Sequence, residues 1–378
     1  LNTDKCLCFL GVFDPNDASL ECAKSIKAEL KDPSKADQGL SKLKKITDID
    51  KWANLLLSSH ICKALCNLMK TCDDIQLAFN IILVLDKMLA NEKLLKHFLE
   101  NKGGLFVLDL FIKFGTTSMG KIIDVLSLIV EHEPVKLSAE HLTKLAPFLV
   151  SGKIGVRKMT IDLIITIIDK ELYDDDSSLN VIANRALENS IPEAETSLLE
   201  KTLVLLNKLL QLQQPFDVII RHDGPCSVFL LSMHKNPTIR NQSLKIMNKM
   251  LSGSIPRPRM ISIFFGGKNS PTNPSDNTKR TRKNDSDDVS FYKLVSENIK
   301  DNSDIILETL IAVGNFLKTP NVFKDLSEQP KDQQDSIINA FRLCFSSESV
   351  TISVYAMKLC YAFLNNQLSY QMFSNLMP

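Results

Sequence analysis

The 378-residue chain has a composition typical of a soluble protein, with 44% hydrophobic residues, 24% charged residues and a formal net charge of +1. A charge so near neutral argues against a protein whose main task is to hold a nucleic acid, because phosphate contacts require a clear excess of lysine and arginine. No purely apolar stretch approaches the ~20 residues of a membrane-spanning helix. Composition therefore disfavours a nucleic-acid-binding protein and a membrane-embedded one.

Residues 1–40 contain one predicted helix, from Asp17 to Leu30, which ends at the helix breaker Asp32–Pro33. We interpret this segment as a helical lead-in or N-terminal cap. A second domain is predicted over residues 41–378.

From residue 42 onward, helical apolar spacing continues almost without interruption, and glycines and prolines fall between the predicted helices. The predicted helices are 42–58, 60–71, 74–90, 92–101, 104–114, 118–132, 138–150, 154–171, 177–188, 196–213, 215–221, 225–234, 237–251, 289–300, 302–318, 321–327, 331–346, 350–365 and 367–376. No segment has the pattern of a strand. The sequence therefore predicts an all-α fold.

Nine cysteines are scattered along the chain, most of them within apolar helical stretches where a free thiol packs as a small hydrophobic group. An odd, scattered set suits a reducing compartment, so we expect a cytoplasmic protein. His60, Cys62, Cys66 and Cys72 form a loose group, but the paired C-x-x-C spacing of a zinc site is absent. We therefore expect buried thiols, with no metal and no cofactor.

A small residue followed by apolar residues at +1, +4, +7 and +8, with another at −4, recurs along the chain. It occurs at Thr160, Thr202, Ser243, Thr309 and Ala356, which we call the anchors. The first three anchors are 42 and 41 residues apart. A period near 40 in a helical chain is typical of armadillo or HEAT repeats, in which each unit buries its apolar face against the next. The predicted fold is an α-α superhelix of this kind.

The interval from Ser243 to Thr309 is 66 residues, and removing about 24 of them would restore the period. Residues 252–288 are rich in proline, glycine and charge, so we predict a long disordered loop there. Its basic run, Lys279–Lys283, has two interpretations. It is either a solvated charge cluster or a contact for nuclear import, nucleic acid or anionic membrane.

A short helix that ends in an apolar pair, followed by a polar turn, precedes three anchors. These pairs are Phe148–Leu149, Leu230–Leu231 and Cys344–Phe345. The arrangement resembles the turn between the second and third helices of the armadillo repeat. The layout of lead-in and degenerate repeats is similar to the GTPase-binding regulatory region of diaphanous-type formins. That resemblance implies a cytoskeletal or signalling role and a small GTPase among the partners, and it assigns no functional residue.

If the apolar stripe of each repeat is centred near its anchor, positions −2, +2, +5 and +6 point away from it, which in an armadillo stack is toward the concave groove. In the middle repeats these positions are Lys158, Asp162, Glu200, Asn207, Lys208, Asn241, Lys245, Asn248 and Lys249. Lysines and amides suit an extended or helical segment that carries carboxylates. The alternative is an ordinary solvated helix surface.

The six histidines lie among helix ends and turns, and no nucleophile stands in register with any of them. We therefore expect no enzymatic activity. The sequence favours a scaffold that binds a protein segment in its groove, as a regulatory region of a cytosolic protein. Two alternatives stay open: recognition of nucleic acid or anionic membrane through residues 279–283, and an accessory or exchange factor for another enzyme. The sequence does not indicate an oligomeric state.

Overall fold

The computed structural model describes residues 13–16, 18–115, 120–132, 136–222, 224–252, 291–318, 322–327, 331–367 and 369–370. These residues form twenty α-helices and two 3-10 helices, with one isolated bridge between Leu137 and Tyr173 and no strand. The prediction of an all-α fold is confirmed for this part of the chain. The loop predicted over residues 252–288 lies outside the described residues, except for Ser252.

The chain divides into two compact units, Leu1–Ile182 and Ala183–Pro378. The first unit contains α1 to α10, and α11 (Asn180–Leu187) spans the boundary. These helices are α1 Leu20–Lys31, α2 Ala36–Lys45, α3 Ile49–Ser58, α4 Ile61–Lys70, α5 Ile75–Met88, α6 Glu92–Glu100, α7 Gly103–Phe114, α8 Lys121–His132, α9 Ala139–Leu145 and α10 Ile154–Asp169, with 3-10 helices at Ala146–Val150 and Asp176–Leu179.

Helix starts in the first unit follow from the sequence. The side chains of Ser19, Asp48, Asp74 and Asn91 each accept a hydrogen bond from the backbone N–H three residues later, which satisfies one of the free donors at a helix N-terminus. The cap at Asp48 explains one difference from the prediction. The helix expected over 42–58 is two helices, α2 and α3, and α2 also spans the predicted domain boundary between residues 40 and 41.

From α1 to α8, each helix of the first unit packs against the helix three places later in the chain. Helix α1 contacts α4, α2 contacts α5, α3 contacts α6, α4 contacts α7, and α5 contacts α8. An interval of three is what successive three-helix units produce when each buries its apolar faces against the next. The helices therefore pack in a repeat-like arrangement, as the sequence period near 40 predicts.

Lysines near helix C-termini connect one repeat to the preceding one. Lys87 Nζ donates to the carbonyl of Lys44 (2.9 Å), Lys113 Nζ to that of Cys72 (3.0 Å), and Lys170 Nζ to those of Val130 (3.1 Å) and Glu131 (2.8 Å). The carbonyls of Lys44, Val130 and Glu131 are among the last of their helices, whereas Cys72 lies two residues after α4 ends. The last carbonyls of a helix have no partner within it, and they carry its negative dipole end. An ammonium group therefore satisfies them, and here it comes from 39 to 43 residues away.

The second unit contains α12 Thr196–Leu209, α13 Gln213–Arg221, α14 Gly224–Leu231, α15 Pro237–Ser252, α16 Phe291–Asn298, α17 Ser303–Leu317, α18 Val322–Ser327, α19 Lys331–Phe345 and α20 Val350–Leu364. The four anchor helices of this unit form a series in which α12 contacts α15, α15 contacts α17, and α17 contacts α20. Among the described helices, only α16 lies between α15 and α17, and residues 253–290 are outside the described ranges.

All five anchors are fully buried. The hydroxyls of Thr160, Thr202 and Thr309 donate to the carbonyls four residues earlier, at 2.7, 2.8 and 2.7 Å, so each polar atom is satisfied within its own helix. Ala356 has no polar atom to satisfy. Ser243 differs from the others because its Oγ is buried without a hydrogen-bond partner. The small anchor predicted from the sequence is therefore a core position in all five helices that carry it.

Hydrogen bonds across the interrupted repeat confirm the register inferred from the anchors. Arg240 bonds to Asp301, Asn248 to Glu308, and Asn298 to the carbonyl of Ser232, so the bonded residues are 60 to 66 positions apart. Subtracting one period near 41 leaves about 20 to 25 residues, which agrees with the ~24 extra residues inferred from the sequence. No helix in the described ranges is long and apolar enough to cross a membrane.

Replacing Lys170 with methionine keeps most of the aliphatic stem and removes the donor to Val130 and Glu131. We expect the free energy of unfolding to fall by about 1 kcal/mol, the usual net contribution of such a hydrogen bond. Urea unfolding followed by circular dichroism measures the change. The matched variant Lys63→Met, at an exposed lysine of α4, is expected to change stability by less than ~0.5 kcal/mol. Equal effects of the two variants would contradict a role for the contact between repeats.

Replacing Ser243 with alanine removes a buried hydroxyl that has no partner. We expect the free energy of unfolding to rise by roughly 0.5–1 kcal/mol. In the wild-type protein, folding removes this hydroxyl from water without giving it a hydrogen bond, and the variant avoids that cost. Thr309→Val removes instead a hydroxyl that donates to Ile305, and it is expected to lower stability by a similar amount. The same urea titration measures both, and a loss of stability in Ser243→Ala would show that this hydroxyl is satisfied.

Candidate functional site

The nine residues predicted to line a groove lie on three helices. Lys158 and Asp162 are on α10, in the first unit. Glu200, Asn207 and Lys208 are on α12, and Asn241, Lys245, Asn248 and Lys249 are on α15, both in the second unit. Because α12 and α15 pack against each other, the structure brings these seven residues onto one pair of helices. This pair is the candidate site.

Two kinds of position are present among the nine residues. Those at +2 and +6 face solvent to the greatest extent: Asp162, Lys245 and Lys249 are exposed, and Lys208 is half-buried. Those at −2 and +5 are more enclosed: Lys158, Glu200, Asn207 and Asn241 are half-buried, and Asn248 is buried. The lysines at +2 and +6 of α15 are therefore the most exposed of the predicted residues on α12 and α15.

Position +5 packs against the next helix in the series. Asn248 Nδ2 donates to the backbone carbonyl of Glu308 at 3.0 Å and to its Oε2 at 2.8 Å. One repeat later the same position is Gly314, where an added β-carbon would lie 3.2 Å from the side chain of Leu359 on α20. A contact this tight explains the glycine. Helical spacing alone did not reveal that +5 faces the neighbouring helix, because it does not show on which side that helix lies.

Several buried amide oxygens of the candidate site have no hydrogen-bond partner. They are Asn207 Oδ1 on α12, and Asn241 Oδ1, Gln242 Oε1 and Asn248 Oδ1 on α15. Buried acceptors are usually satisfied, and leaving one unpaired costs about 1–3 kcal/mol. Gln242 was not among the predicted residues because it stands directly before the anchor. The α12–α15 pair therefore combines cationic side chains at its surface with unsatisfied acceptors below them.

The cysteines lie apart from the candidate site. Burial raises the pKa of the Cys62 and Cys66 thiols to about 12, which is the condition of neutral packing groups. In the described part of the chain, no three histidine, cysteine or acidic residues are grouped so that they could hold a metal ion. One observation departs from the expected set of free thiols: Cys22 is disulfide-bonded. No other cysteine in the described ranges forms a disulfide.

A cavity of about 380 Å³ lies among α17, α18 and α20 in the second unit. Apolar groups such as Leu317, Phe323 and Leu359 form much of its lining, together with the polar side chains of Lys318, Asn365 and Asn366. Among the described residues that line it there is no carboxylate, histidine or cysteine.

Comparisons with known proteins identify no relative. No protein-family model matches the chain, and no curated protein matches its sequence. One similar solved structure is the crystal structure of an engineered protein, which is 11% identical, covers 98% of each chain and has a TM-score of 0.46. Similarity at this level identifies neither a family nor a function. The function must be inferred from the residues themselves.

Two histidines have structural roles that the sequence did not reveal. His141 forms the capping box of α9, with Nδ1 3.1 Å from the backbone nitrogen of Ser138 and 2.7 Å from its Oγ. His234 Nδ1 accepts a hydrogen bond from the backbone N–H of Asn236 at 3.0 Å. Desolvation lowers the pKa of both imidazoles below the usual 6.5. Both histidines therefore favour their neutral form in the folded chain.

Acidification is expected to destabilise the protein through these histidines. Their pKa values are lowered on folding, so the unfolded chain binds protons at a higher pH than the folded chain. The stabilisation is complete above the unfolded pKa, and it is lost as the pH falls through 6.5 toward the folded values. Urea midpoints at about pH 7.5 and 5.5 measure the loss, which His141→Asn/His234→Asn is expected to reduce. His222→Asn, at an exposed histidine, should leave it unchanged; an unchanged loss in the double variant would contradict this assignment.

Proposed function

We propose that this chain is a non-catalytic helical-repeat protein of the armadillo or HEAT kind. Two features support this proposal. In the first unit, five successive helix pairs follow an interval of three, and the lysine-to-carbonyl contacts recur at 39 to 43 residues. A chain built from such units presents long, regular surfaces, and proteins of this architecture use them to bind other proteins.

The proposed function is capture of an acidic protein segment on the α12–α15 pair. The observation that carries the proposal is the lysine pair on α15: Lys245 and Lys249 are one turn apart and both exposed, and Lys208 is on the helix packed beside them. Residues four apart lie on the same face of a helix. A partner segment with carboxylates at a matching spacing therefore meets several ammonium groups at once.

Buried amide groups beneath the lysines could also bind the partner segment. The buried amide oxygens of Asn207 and Asn241 have no hydrogen-bond partner, and a partner segment that brings N–H donors to them would remove the cost of burying them unsatisfied. These oxygens are buried in the chain as it stands, so that step requires the amides to turn toward the partner. Surface charge pairs supply encounter rate and orientation more than affinity. The amides would add selectivity.

The cellular role is a further part of the proposal. The resemblance to the regulatory region of diaphanous-type formins favours a cytosolic signalling or cytoskeletal protein, with a small GTPase as one class of partner. Lys158 and Asp162 belong to a different unit from the α12–α15 pair. The binding surface proposed here therefore includes only the second-unit residues.

Reversing the charges of Lys208, Lys245 and Lys249 to glutamate tests the binding surface. The probe is a fluorescein-labelled peptide rich in glutamate and aspartate, and binding is followed by anisotropy at several salt concentrations. Three lost charge pairs of about 0.5–1 kcal/mol each correspond to a fall in affinity of roughly ten- to a hundredfold. Helicity and melting temperature should stay as in the wild-type protein, because Lys245 and Lys249 are exposed and Lys208 is half-buried, so none of the three is a core side chain.

The matched control reverses Lys63, Lys93 and Lys96, which are exposed on helices of the first unit. It changes the net charge by the same amount, so an equal loss of affinity in both variants would show that only overall charge matters. A second variant lacks residues 254–287, a segment that includes the basic run. Retained peptide binding supports the α12–α15 surface, whereas lost binding with a steep salt dependence would assign it to the basic run.

A further inference from the structure

Residues 13–16, the segment Phe-Asp-Pro-Asn, pack against α3 in the first unit, and we call them the strap. The ring of Phe13 lies beside that of Trp52, with centroids 6.0 Å apart and ring planes inclined by 49°. Tilted aromatic pairs at this separation are favourable beyond the area that they bury. Trp52 is the single tryptophan of the chain, and it is fully buried.

Two side chains of α3 donate hydrogen bonds to the strap. Trp52 Nε1 donates to the carbonyl of Pro15 at 3.0 Å, and Lys51 Nζ donates to the carbonyl of Asn16 at 2.6 Å. Both acceptors are backbone oxygens, which a residue of any type would offer. Helix α3 therefore recognises one aromatic ring and two carbonyls, and none of these contacts requires the segment to be joined to α1.

The strap has a preformed turn. Asp14 Oδ1 accepts a hydrogen bond from the backbone N–H of Asn16 at 2.9 Å, which is the arrangement of an Asx turn. Pro15 between them has a fixed φ. A segment that is already turned loses less conformational entropy when it binds. The turn therefore fixes the relative positions of the two carbonyls that accept from α3.

The two donors of α3 are absent from the equivalent positions of the next repeat. We align α3 with α6 at their N-caps, whose side chains each accept from the N–H three residues later. Leu94 is then the counterpart of Lys51, and Leu95 is the counterpart of Trp52. Neither leucine has a side-chain donor. The pair of donors therefore serves the contact with the strap and is not part of the packing common to both repeats.

The strap lies at the surface of the first unit. Asn16 is exposed, and Phe13, Asp14 and Pro15 are half-buried. The contacts described above, one ring pair and two hydrogen bonds, hold it to α3. Segments with few buried contacts open locally at a small cost in free energy. A second segment that offers the same groups can therefore replace the strap.

We propose that α3 carries a peptide-binding site, which the strap occupies within its own chain and which a partner segment of the same chemistry occupies in its place. The partner segment has an aromatic residue followed by an Asp-Pro-Asn turn, because that pattern supplies the ring and both carbonyls. Aromatic surfaces that bind proline-containing segments are a recurring mode of peptide recognition. The site is in the first unit, so this proposal does not depend on binding at α12 and α15.

Fluorescence of the full chain tests the proposal, because the emission comes chiefly from Trp52. The variant Phe13→Ser/Asp14→Ala weakens the strap and leaves α3 unchanged. We expect its emission maximum to move to longer wavelength and acrylamide quenching to increase, since water then reaches the indole. The probe is a capped peptide with the sequence of residues 11–18, and adding it to the variant is expected to restore the wild-type emission.

Anisotropy of the same peptide, labelled with fluorescein, measures its affinity. We expect binding to the strap variant to be roughly tenfold tighter or more than binding to the wild type, in which the attached strap competes at an effective concentration on the order of millimolar. Adding Lys51→Met to the strap variant removes one donor and is expected to weaken binding roughly three- to tenfold. The matched change Lys63→Met, at an exposed lysine of α4, should leave the affinity unchanged.

The control probe is a peptide that carries the same two substitutions as the strap variant, and it should not bind. Circular dichroism shows whether each variant folds, and if the double variant loses helicity, the same results are required of Asp14→Ala alone. The proposal is overturned if weakening the strap leaves the emission unchanged, if the peptide does not restore it, or if both peptides bind equally. Equal effects of Lys51→Met and Lys63→Met would also overturn it, because binding would then lie elsewhere.

Discussion

The packing of one anchor helix on the next is the interaction on which the rest of the second unit depends. Each of these helices has a broad apolar face and a small buried residue near the middle of it. The small side chain is Thr202, Ser243, Thr309 or Ala356, and each is fully buried. No single helix can bury such a face alone. The position of every surface residue on α12 and α15 is therefore set by which sides of these helices are used for packing.

Much of this arrangement follows from the sequence because apolar periodicity and small residues record burial directly. The anchors, the helix starts at Asp74 and Asn91, and the length of the interruption before Thr309 could all be predicted. Asp48 shows where the prediction fell short: its cap begins a new helix inside the stretch expected as 42–58. The apolar pattern continues through that break because both helices bury their faces in the same unit.

Other features could not be predicted from the sequence because they depend on which residues of another helix lie beside them. A lysine at position 170 resembles any surface lysine until the carbonyls of Val130 and Glu131 are seen beside it. Asn248 likewise belongs by spacing to the predicted groove, yet it bonds to Glu308 on the next helix. Helical periodicity gives the angle of a side chain about its own axis. It does not give the direction from which the next helix approaches. That direction decides whether a position packs against the next helix or stays exposed to solvent.

The lysine contacts of the first unit also bear on how such a chain can change in length. Lys87 and Lys170 each reach the carboxyl end of a helix that lies one repeat earlier, and both acceptors are backbone carbonyls. A backbone acceptor is offered by every helix, whatever its side chains. Loss of one whole period would therefore still leave Lys170 opposite the end of a preceding helix. Duplication or deletion of complete repeats is thus an accessible evolutionary step, whereas the gain or loss of part of a repeat would leave these lysines without acceptors.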